Sequence, residues 1–467
     1  MQIGFHGAAQ TVTGSRHLLT VNGHRLLLEC GLYQGRRRAT YQVNASFPFE
    51  PAEVDAVVIS HAHIDHIGNL PNLVGQGFDG PIHATHATRR LTDLLLRDSA
   101  HIQEEDAEYL NRKRERQGKE LIEPLYTSHQ AEIAVRSLTG HDYGQPFEPV
   151  PGVQVTYVEA GHILGSAGVV LDIDEGGRTT RLMFSGDIGR RLTPILRDPV
   201  QPHQVDFLIM ECTYGDKPHQ SPDQAFDDLR ATVARTIDRG GKVIIPAFAV
   251  GRTQALVYSL HQLFDRGELP AIPVFVDSPL AINVTTVFRE HPECYDEQAQ
   301  AFLRQDPHGS VFGFADLKYT LTVKESKEIN NLAGPAVIIS ASGMAEVGRI
   351  LHHLKNNIED PANTILINSW MAPHTLGRRL VDGEQRVKIF GEAYNVKAEV
   401  VRIDGFSAHA GQHELVDYAL ASRQQLQRIF LVHGEAGPAA ALTERLAAEG
   451  MDAVHYPAWD EVVTIGG

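Results

Sequence analysis

Cysteine is scarce in this sequence, and long apolar runs are missing from it. The three cysteines among 467 residues are Cys30, Cys212 and Cys294, an odd number with wide spacing, which excludes a disulfide framework and suits a reducing cytoplasm. The sequence contains no run of about 18 apolar residues and so predicts no membrane span. Residues 1–19 lack the basic and apolar regions of a secretory signal. We therefore expect a cytoplasmic protein without a membrane partner.

Positive charge is also in short supply. The 42 lysines and arginines face 58 aspartates and glutamates, which gives a formal net charge of -16, whereas a protein that coats DNA non-specifically would be basic. Any nucleic acid would therefore have to bind in a local groove rather than through the overall charge. Histidine, by contrast, is abundant, with 24 residues, and this abundance directs attention to metal ligands.

The pattern of apolar residues changes twice along a chain that is long for one compact core. Residues 1–60 alternate short apolar runs with glycine turns, which predicts antiparallel hairpins. After about residue 212, four buried parallel strands, most of them followed by helices, are predicted by KVIIPAF, IPVFVD, AVIISAS and NTILINS. Strand-rich sequence resumes near residue 386. We therefore predict a β-rich domain that is interrupted by an α/β cassette and then resumes.

The strongest chemical signal is the sequence HAHIDH, which directly follows an apolar strand at residues 54–60. His61 and His63 would project to the same side of an extended segment, and Asp65 and His66 would lie where the next helix begins. Taken singly, Asp65 is explained equally well as a helix cap. Taken together, three imidazoles and a carboxylate at this spacing indicate a metal site.

Three further polar residues each follow an apolar strand elsewhere in the chain, namely His162, Asp187 and His433. Strand ends usually carry functional loops. With the HAHIDH residues they supply five imidazoles and two carboxylates, a ligand set that suits a pair of zinc ions. Two divalent cations, two aspartates and a bridging hydroxide would leave one net positive charge, which favours a phosphodiester substrate.

The order of these motifs resembles the metallo-β-lactamase superfamily. Similarity to its β-CASP branch is carried by GAAQTVTGSRHLL, FSGDIGR, ECTYG, IISASGM, TLGRR, FSAHA and LVHGE, so that the resemblance covers essentially the whole chain. This branch includes bacterial and archaeal ribonucleases and the endonuclease that cuts pre-mRNA before polyadenylation. Family motifs usually place aspartate where this chain has Glu29.

The resemblance implies an α/β fold, in which an αββα metallo-β-lactamase sandwich is interrupted by a parallel-sheet β-CASP cassette. On this interpretation residues 1–208 form the first part of the sandwich, residues 209–390 form the cassette, and residues 391–467 form the C-terminal part of the sandwich. It also implies the metal ligands: His61, His63 and His162 for one zinc ion, Asp65, His66 and His433 for a second, Asp187 as the bridge, and Glu29 as an outer support.

The catalytic residues implied by the resemblance are Asp65, Glu211 and His409. Asp65 would orient or deprotonate the attacking hydroxide. His409, oriented and kept cationic by Glu211, would protonate the leaving oxygen. Glu211 and His409 lie far apart in the sequence, so their pairing rests on the resemblance alone.

Substrate contacts are expected mainly from the cassette, at Ser342, Gly343, Arg252, Arg378 and Ser407. Ser342 and Gly343 follow a buried strand just before a helix predicted to start near Glu346, where backbone N–H groups could hold a phosphate. Arg252 lies in a similar strand-to-helix turn, and Ser407 lies beside His409. Each of them is explained equally well as a helix cap or a surface residue.

The leading interpretation is a ribonuclease that hydrolyses phosphodiester bonds of single-stranded RNA with two zinc ions, in RNA processing or decay. Manganese is an alternative metal, and a homodimer is left open. A nuclease that processes DNA ends is a second interpretation, because nothing in the sequence reads the 2′-hydroxyl. A non-catalytic metal-binding scaffold is opposed by the complete ligand set, and a thioesterase or lactamase is opposed by the large cassette, which would form a groove for a polymer.

Overall fold

The structure is a computed structural model that describes residues 1–35, 37–306, 309–372 and 374–465. The chain forms two compact units. The first comprises residues 1–191, 198–218 and 409–467, and the second comprises residues 192–197 and 219–408. In the described ranges, no helix has the length and apolar character needed to cross a membrane.

The first unit contains two sheets. The first sheet consists of β1 (Gln2–Gly7), β2 (Arg16–Val21), β3 (His24–Leu28), β4 (Ala56–Val58), β5 (Ile82–Thr85), β6 (Leu138–His141) and β22 (Glu461–Thr464). Its order is β22-β1-β2-β3-β4-β5-β6, antiparallel from β22 to β3 and parallel from β3 to β6. The predicted antiparallel hairpins at the start of the chain are therefore confirmed for β1 to β3.

The second sheet carries most of the strand ends that matter for the site. It consists of β7 (Phe147–Val150), β8 (Val153–Glu159), β9 (Ala167–Glu175), β10 (Arg178–Phe184), β11 (Phe207–Glu211), β20 (Arg428–Val432) and β21 (Val454–His455). Its order is β21-β20-β11-β10-β9-β8-β7. Because β10, β11 and β20 are parallel neighbours, their carboxyl ends meet at one edge.

The two sheets share one apolar core, which forms because apolar residues alternate along their strands. In β8, Val153, Val155 and Tyr157 alternate with more polar residues, and all three are fully buried. They join Phe5 of the first sheet and Phe430 of the second in a single cluster. Burying apolar area at about 25 cal/mol per Å² makes this interface the main source of stability in the first unit.

Helices accompany both sheets of the first unit. They are α1 (Arg37–Ala45), α2 (Ile64–Ile67), α3 (Leu70–Gly75), α4 (His86–Glu115), α5 (Ser128–Arg136), α13 (Gln412–Leu420) and α14 (Ala436–Ala448). Leu415 of α13 and Leu442 of α14 pack on the second sheet against Met183 and Leu208. A three-residue 3-10 helix occurs in this unit at Pro51–Glu53, and two others, Pro292–Cys294 and Asp404–Phe406, lie in the second unit.

The second unit is built on a parallel sheet. Its strands are β12 (Lys242–Pro246), β13 (Val274–Val276), β14 (Leu317–Tyr319), β15 (Ala336–Ser340), β16 (Thr364–Ile367) and β19 (Glu399–Arg402), with a separate antiparallel hairpin of β17 (Arg386–Ile389) and β18 (Glu392–Asn395). The order is β14-β13-β15-β12-β16-β19, and every neighbouring pair is parallel.

The helices of the second unit follow its strands in the manner of an α/β fold. They are α6 (Pro222–Asp238), α7 (Arg252–Asp265), α8 (Pro279–Glu290), α9 (Glu297–Gln305), α10 (Val323–Ile329), α11 (Ile350–Asn357) and α12 (Leu376–Val381). The predicted α/β class, with a parallel-sheet cassette inserted in a β-rich domain, is confirmed.

Apart from the short segment 192–197, the second unit begins and ends later in the chain than the predicted cassette. The predicted change at residues 208 and 209 falls within β11, which pairs with β10 and β20 and so belongs to the first unit. The predicted change at residues 390 and 391 falls inside the second unit, because β19 extends the cassette sheet beside β16. The first unit resumes only at residue 409.

A buried carboxylate ties together several segments of the second unit. Asp277 directly follows β13 and is fully buried. Its oxygens accept from Ser326 Oγ and Thr320 Oγ1 at 2.6 Å and from Arg349 Nη1 at 2.7 Å, and His353 Nε2 lies at 2.7 Å. Burial alone would raise the pKa of Asp277, but these partners outweigh it and hold the pKa below its usual range. The ionised Asp277 carboxylate therefore contributes fully to the free energy of unfolding above about pH 4, and this contribution is lost as the pH falls further.

Asp277→Asn is expected to lower the free energy of unfolding of the second unit by about 3 kcal/mol, because Arg349 and its neighbours lose the charge that compensates them. Hydrogen exchange of the β13 and β15 amides measures this loss. Asp404→Asn serves as the control, since Asp404 forms an exposed ion pair with Arg402 at 2.6 Å and should contribute less than about 1 kcal/mol. Equal losses of amide protection in the two variants would contradict the role given to Asp277.

Candidate metal and catalytic site

The HAHIDH residues lie where the chain leaves β4 and enters the four-residue helix α2. His63 is the N-cap residue of α2, its backbone is extended, and no side chain caps the helix. Asp65 is therefore not a helix cap, which removes the simpler explanation of this residue. Its Oδ2 atom instead lies 3.4 Å from His433 Nε2.

The other predicted ligands arrive from the second sheet of the first unit. His162 lies in the loop between β8 and β9, Asp187 follows β10, and His433 follows β20. The loop of His162 is held by Ser166, whose Oγ accepts from the His162 backbone N–H at 3.0 Å. Since β10, β11 and β20 end at one edge, Asp187 and His433 are brought together by strand pairing.

One group of possible ligands consists of His61, His63, His162 and Asp187. Their ligand atoms lie within 4.8 Å of one another. The Nδ1 atom of His63 lies 3.1 Å from His61 Nε2 and 3.2 Å from His162 Nε2. Asp187 Oδ2 lies 3.4 Å from His61 Nε2 and 3.5 Å from His162 Nε2.

A second group consists of Asp65, His66 and His433, again within 4.8 Å of one another. The Nε2 atoms of His66 and His433 are 3.3 Å apart. Asp187 Oδ1 lies 3.4 Å from His66 Nε2 and 3.6 Å from His433 Nδ1. The Asp187 carboxylate thus presents one oxygen to each group, and all seven residues predicted as ligands lie together.

The electrostatics of these residues suit a divalent cation. Burial lowers the pKa of His61 to about 3 and that of His63 to about 4, so both rings are neutral at pH 7 and offer a lone pair. Burial would also lower the pKa of His66, but Asp187 and Glu29 outweigh it and raise the pKa well above its ordinary value. The carboxylates of Asp187 and Glu29 therefore favour a positive charge at the position of His66.

The ionisation state of the Asp187 carboxylate also suits a divalent cation. Burial would raise its pKa, but the surrounding histidines, His433 first, hold the pKa well below the usual range, so the group is ionised at neutral pH. Within the described ranges, its Oδ1 atom is buried without a hydrogen-bond partner. A buried anionic oxygen of this kind is costly unless a cation is present, and a nitrogen and oxygen set of this type is what zinc prefers.

A ring of outer partners fixes the orientation of three imidazoles. Glu29, the predicted outer support, places its Oε2 atom 2.8 Å from His66 Nδ1 and is fully buried. Two hydroxyl groups were not predicted: Ser60 Oγ lies 3.0 Å from His61 Nδ1, and Thr213 Oγ1 lies 3.0 Å from His433 Nδ1. Such partners select the tautomer and the ring orientation of a metal-binding histidine. The only sequence signal for them was their place beside HAHIDH and inside ECTYG.

Glu211 and His409 form a pair at the edge of the cluster. His409 Nδ1 lies 3.0 Å from Glu211 Oε1, and the same oxygen accepts from the Ile188 backbone N–H at 2.7 Å. Ala410 N donates to Ile188 O at 2.7 Å, so backbone pairing keeps His409 beside the loop that carries Asp187.

This pair gives His409 the character of an acid. Burial alone would lower its pKa, but the carboxylates of Glu211 and Asp187 outweigh burial and raise the pKa to about 9. The Glu211 side chain is fully buried, whereas 22% of the His409 side chain is exposed. The imidazole is therefore the member of the pair that can meet a substrate.

All five residues predicted to contact substrate belong to the second unit. Ser407 is among them and lies two residues before His409 in the chain. Arg252 begins α7 after Gly251, as predicted. The helix predicted near Glu346 instead begins at Ile350. Residues 345 and 348 have positive φ angles of 57° and 83°, which stop a helix from starting earlier. Ser342 and Gly343 consequently lie in a loop rather than at a helix N-terminus.

The other two predicted contacts have local partners. Arg378 lies in α12, and its Nε atom donates to both carboxylate oxygens of Asp382 at 2.9 Å. Ser407 is largely buried, and its backbone N–H donates to Asp404 O at 3.3 Å.

Comparison with known families gives three successive matches. The sequence matches the Metallo-beta-lactamase superfamily over residues 15–247, the Beta-Casp domain over residues 253–380, and the Zn-dependent metallo-hydrolase RNA specificity domain over residues 393–457. A crystal structure of a protein of unknown function from Enterococcus faecalis V583 covers 99% of both chains with a TM-score of 0.55 at 13% identity, a likeness of fold alone.

Individual relatives are similar over most of the chain. A Thermus thermophilus protein named Ribonuclease TTHA0252 is 36% identical over 452 residues, which is 97% of each protein. Proteins named Transcription termination factor FttA are 30% identical in Methanocaldococcus jannaschii and 33% identical in Thermococcus kodakarensis, over 93% and 82% of this chain. The matches span 67% and 58% of the lengths of these two relatives.

Thr213→Val is expected to weaken the retention of bound metal by about tenfold, because valine keeps the volume of threonine but loses the hydroxyl that orients His433. Thr213→Ser keeps the hydroxyl and should retain metal like the wild type. Competition with a chelator, followed by the metal content of the full-length protein, measures this difference. Wild-type retention in the valine variant would show that the hydroxyl does not support the site.

Proposed function

We propose that this chain, which belongs to the β-CASP branch of the metallo-β-lactamase superfamily, is a metal-dependent ribonuclease that hydrolyses phosphodiester bonds of RNA with two zinc ions. The observation that carries this proposal is the Glu211–His409 pair beside a cluster of five histidines and two aspartates. A cationic imidazole next to a metal cluster is what the departure of an alkoxide from phosphorus requires.

The ligand groups support two ions rather than one. His61, His63 and His162 would hold the first ion, Asp65, His66 and His433 would hold the second, and Asp187 would reach both. Imidazole and carboxylate ligands suit zinc, although manganese binds similar sets. Bound zinc would act as a Lewis acid toward phosphate oxygens and would lower the pKa of water.

The protein's own groups would then manage the protons. Burial would raise the pKa of Asp65, but His433 and its neighbours hold the pKa below its usual range, so the carboxylate is ionised at neutral pH and can accept a hydrogen bond from the attacking water. Glu211 and Asp187 raise the pKa of His409 to about 9, which favours the cationic ring that would give a proton to the leaving oxygen. Glu211 keeps the ring oriented through Nδ1, which leaves Nε2 for the substrate.

The choice of RNA as substrate rests on the family and on the names of the relatives. Residues 393–457 match a domain described as an RNA specificity domain, and the Thermus relative is named a ribonuclease. We propose single-stranded RNA, because a strand without a partner can present its backbone to a buried cluster. The three cysteines are free and buried, which fits a cytoplasmic role in RNA processing or decay.

The test compares single-stranded RNA and DNA of one sequence, both labelled at the 5′ end, in reactions with wild type and variants. His409→Ala should slow RNA cleavage by about 10²- to 10⁴-fold while keeping its metals, because only proton transfer is removed. Asp187→Asn should lose both metal and cleavage. His413→Ala is the matched control, because His413 is an exposed histidine on α13 and should cleave like the wild type.

The outcomes separate the competing functions. Stronger cleavage of DNA than of RNA would favour a DNA-processing nuclease. Failure of a fully metallated wild type to cut either polymer would leave a non-catalytic scaffold. Loss of metal in His409→Ala would show that His409 is a ligand rather than an acid.

A further inference from the structure

Two exposed aromatic side chains lie at the carboxyl edge of the parallel sheet in the second unit. Phe248 follows β12 by two residues and Trp370 follows β16 by three. Each is 40% exposed. Since β12 and β16 are adjacent parallel strands, both residues leave the same edge of the sheet from neighbouring strands about 4.8 Å apart. Ligands of open parallel sheets bind at this edge.

The backbone holds Phe248 in place although its ring is exposed. The Phe248 carbonyl accepts from the Thr253 backbone N–H at 3.2 Å and from Thr253 Oγ1 at 2.8 Å. Ala247 N donates to Ser340 O at 3.1 Å, which extends the pairing of β12 with β15. The ring lies against Gly343, where an added Cβ would be 2.7 Å from it. The ring is therefore a supported surface rather than a loose side chain.

Trp370 is flanked by buried residues. It stands between Ser369, which is 9% exposed, and Met371, which is 3% exposed. Met371 packs in the core beside Leu376. The next residue, Ala372, donates its N–H to the Met344 sulfur at 3.4 Å. Ala372 thus connects the loop that carries Trp370 to the 341–349 loop, and Gly343 of the same loop lies beside Phe248.

The charges in these loops are compatible with a polyanion. Segments 247–252 and 368–375 contain no aspartate or glutamate, and their ionisable residues are Arg252 and His374. In the 341–349 loop, the Glu346 carboxylate accepts from the Leu376 N–H, and Arg349 is paired with Asp277. Glu346 is exposed and keeps its negative charge, which Arg252 offsets, so these described segments carry no net negative charge.

We propose that Phe248 and Trp370 form a stacking platform for unpaired nucleobases of single-stranded RNA. Aromatic rings stack on every base, so the platform would grip the strand without reading its sequence. Fixed rings lose little entropy on binding. This inference rests on the proposed function, because it assumes that the substrate is RNA, and it gives the second unit a role in holding bases.

The test uses the full-length, metallated protein in the His409→Ala background, where RNA stays intact. The probes are a twelve-nucleotide oligoadenylate and an abasic oligomer with the same number of phosphates. Phe248→Leu and Trp370→Leu should each weaken oligoadenylate binding at least about fivefold, and should leave abasic binding unchanged. Phe248→Tyr and Trp370→Phe keep an aromatic ring and should restore binding to within about twofold.

The chain offers a matched control and an internal reporter. Phe390, between β17 and β18, is 53% exposed, and its hairpin is separate from the sheet that carries the platform, so Phe390→Leu should bind like its parent. The two tryptophans are Trp370 and Trp459. In Trp459→Phe, the remaining indole fluorescence should be quenched by oligoadenylate and not by the abasic oligomer.

Each result decides between the two proposals. If the background protein binds neither oligomer, the proposed RNA substrate is wrong and the platform falls with it. If oligoadenylate binds but the leucine variants bind within twofold of the parent, or if the abasic oligomer quenches Trp370 equally, only the stacking platform is wrong. A loss in Phe390→Leu as large as in the platform variants would also overturn it.

Discussion

One buried negative charge organises the first unit, namely the carboxylate of Asp187. Its two oxygens lie 3.4 Å from His61 Nε2 and from His66 Nε2, with the carboxylate only 2% exposed. Removing a carboxylate from water costs several kcal/mol unless positive charge compensates it. The sheet that supplies Asp187 and the loop that supplies the imidazoles must therefore stay together, and a bound metal cation would make this burial favourable.

The histidines cannot be held by their own helix, because α2 has only four residues and so short a helix is not stable alone. Its backbone is fixed from outside: Ser15 N donates to Asp65 O at 2.8 Å, and Cys30 N donates to His66 O at 2.8 Å. Gly31 lies directly beneath, where an added Cβ would lie 1.6 Å from Asp65 O. The glycine in LLLECG is thus required by the close approach of two backbones, and the positions of the predicted ligands depend on backbone contacts of residues that are not ligands themselves.

The sequence predicted the site residues best where the residue types are rare and worst where they are common. Three histidines and an aspartate at HAHIDH stand out from any background, as do polar residues that end apolar strands. Ser60 and Thr213 do not, because hydroxyl residues are frequent and only their 3.0 Å contacts distinguish them. The pairing of Glu211 with His409 spans 198 residues, so resemblance rather than spacing could suggest it. The boundary at residue 409 could not be predicted, because the sequence of β19 does not indicate which sheet the strand joins. Its pairing with β16 assigns it to the second unit.

Net charge is a poor guide to the substrate of this protein. The total of -16 would repel RNA if every charge acted at long range, but at physiological salt the Debye length is about 8 Å. A phosphate near the cluster therefore responds mainly to the charges within that distance. Of the groups there, His61 and His63 are neutral, the pKa of His409 is raised to about 9, and bound divalent ions would add positive charge. Because buried charges are screened much less than exposed ones, that added charge would act on a nearby phosphate more strongly than the acidic surface does, which would let an acidic protein bind a polyanion.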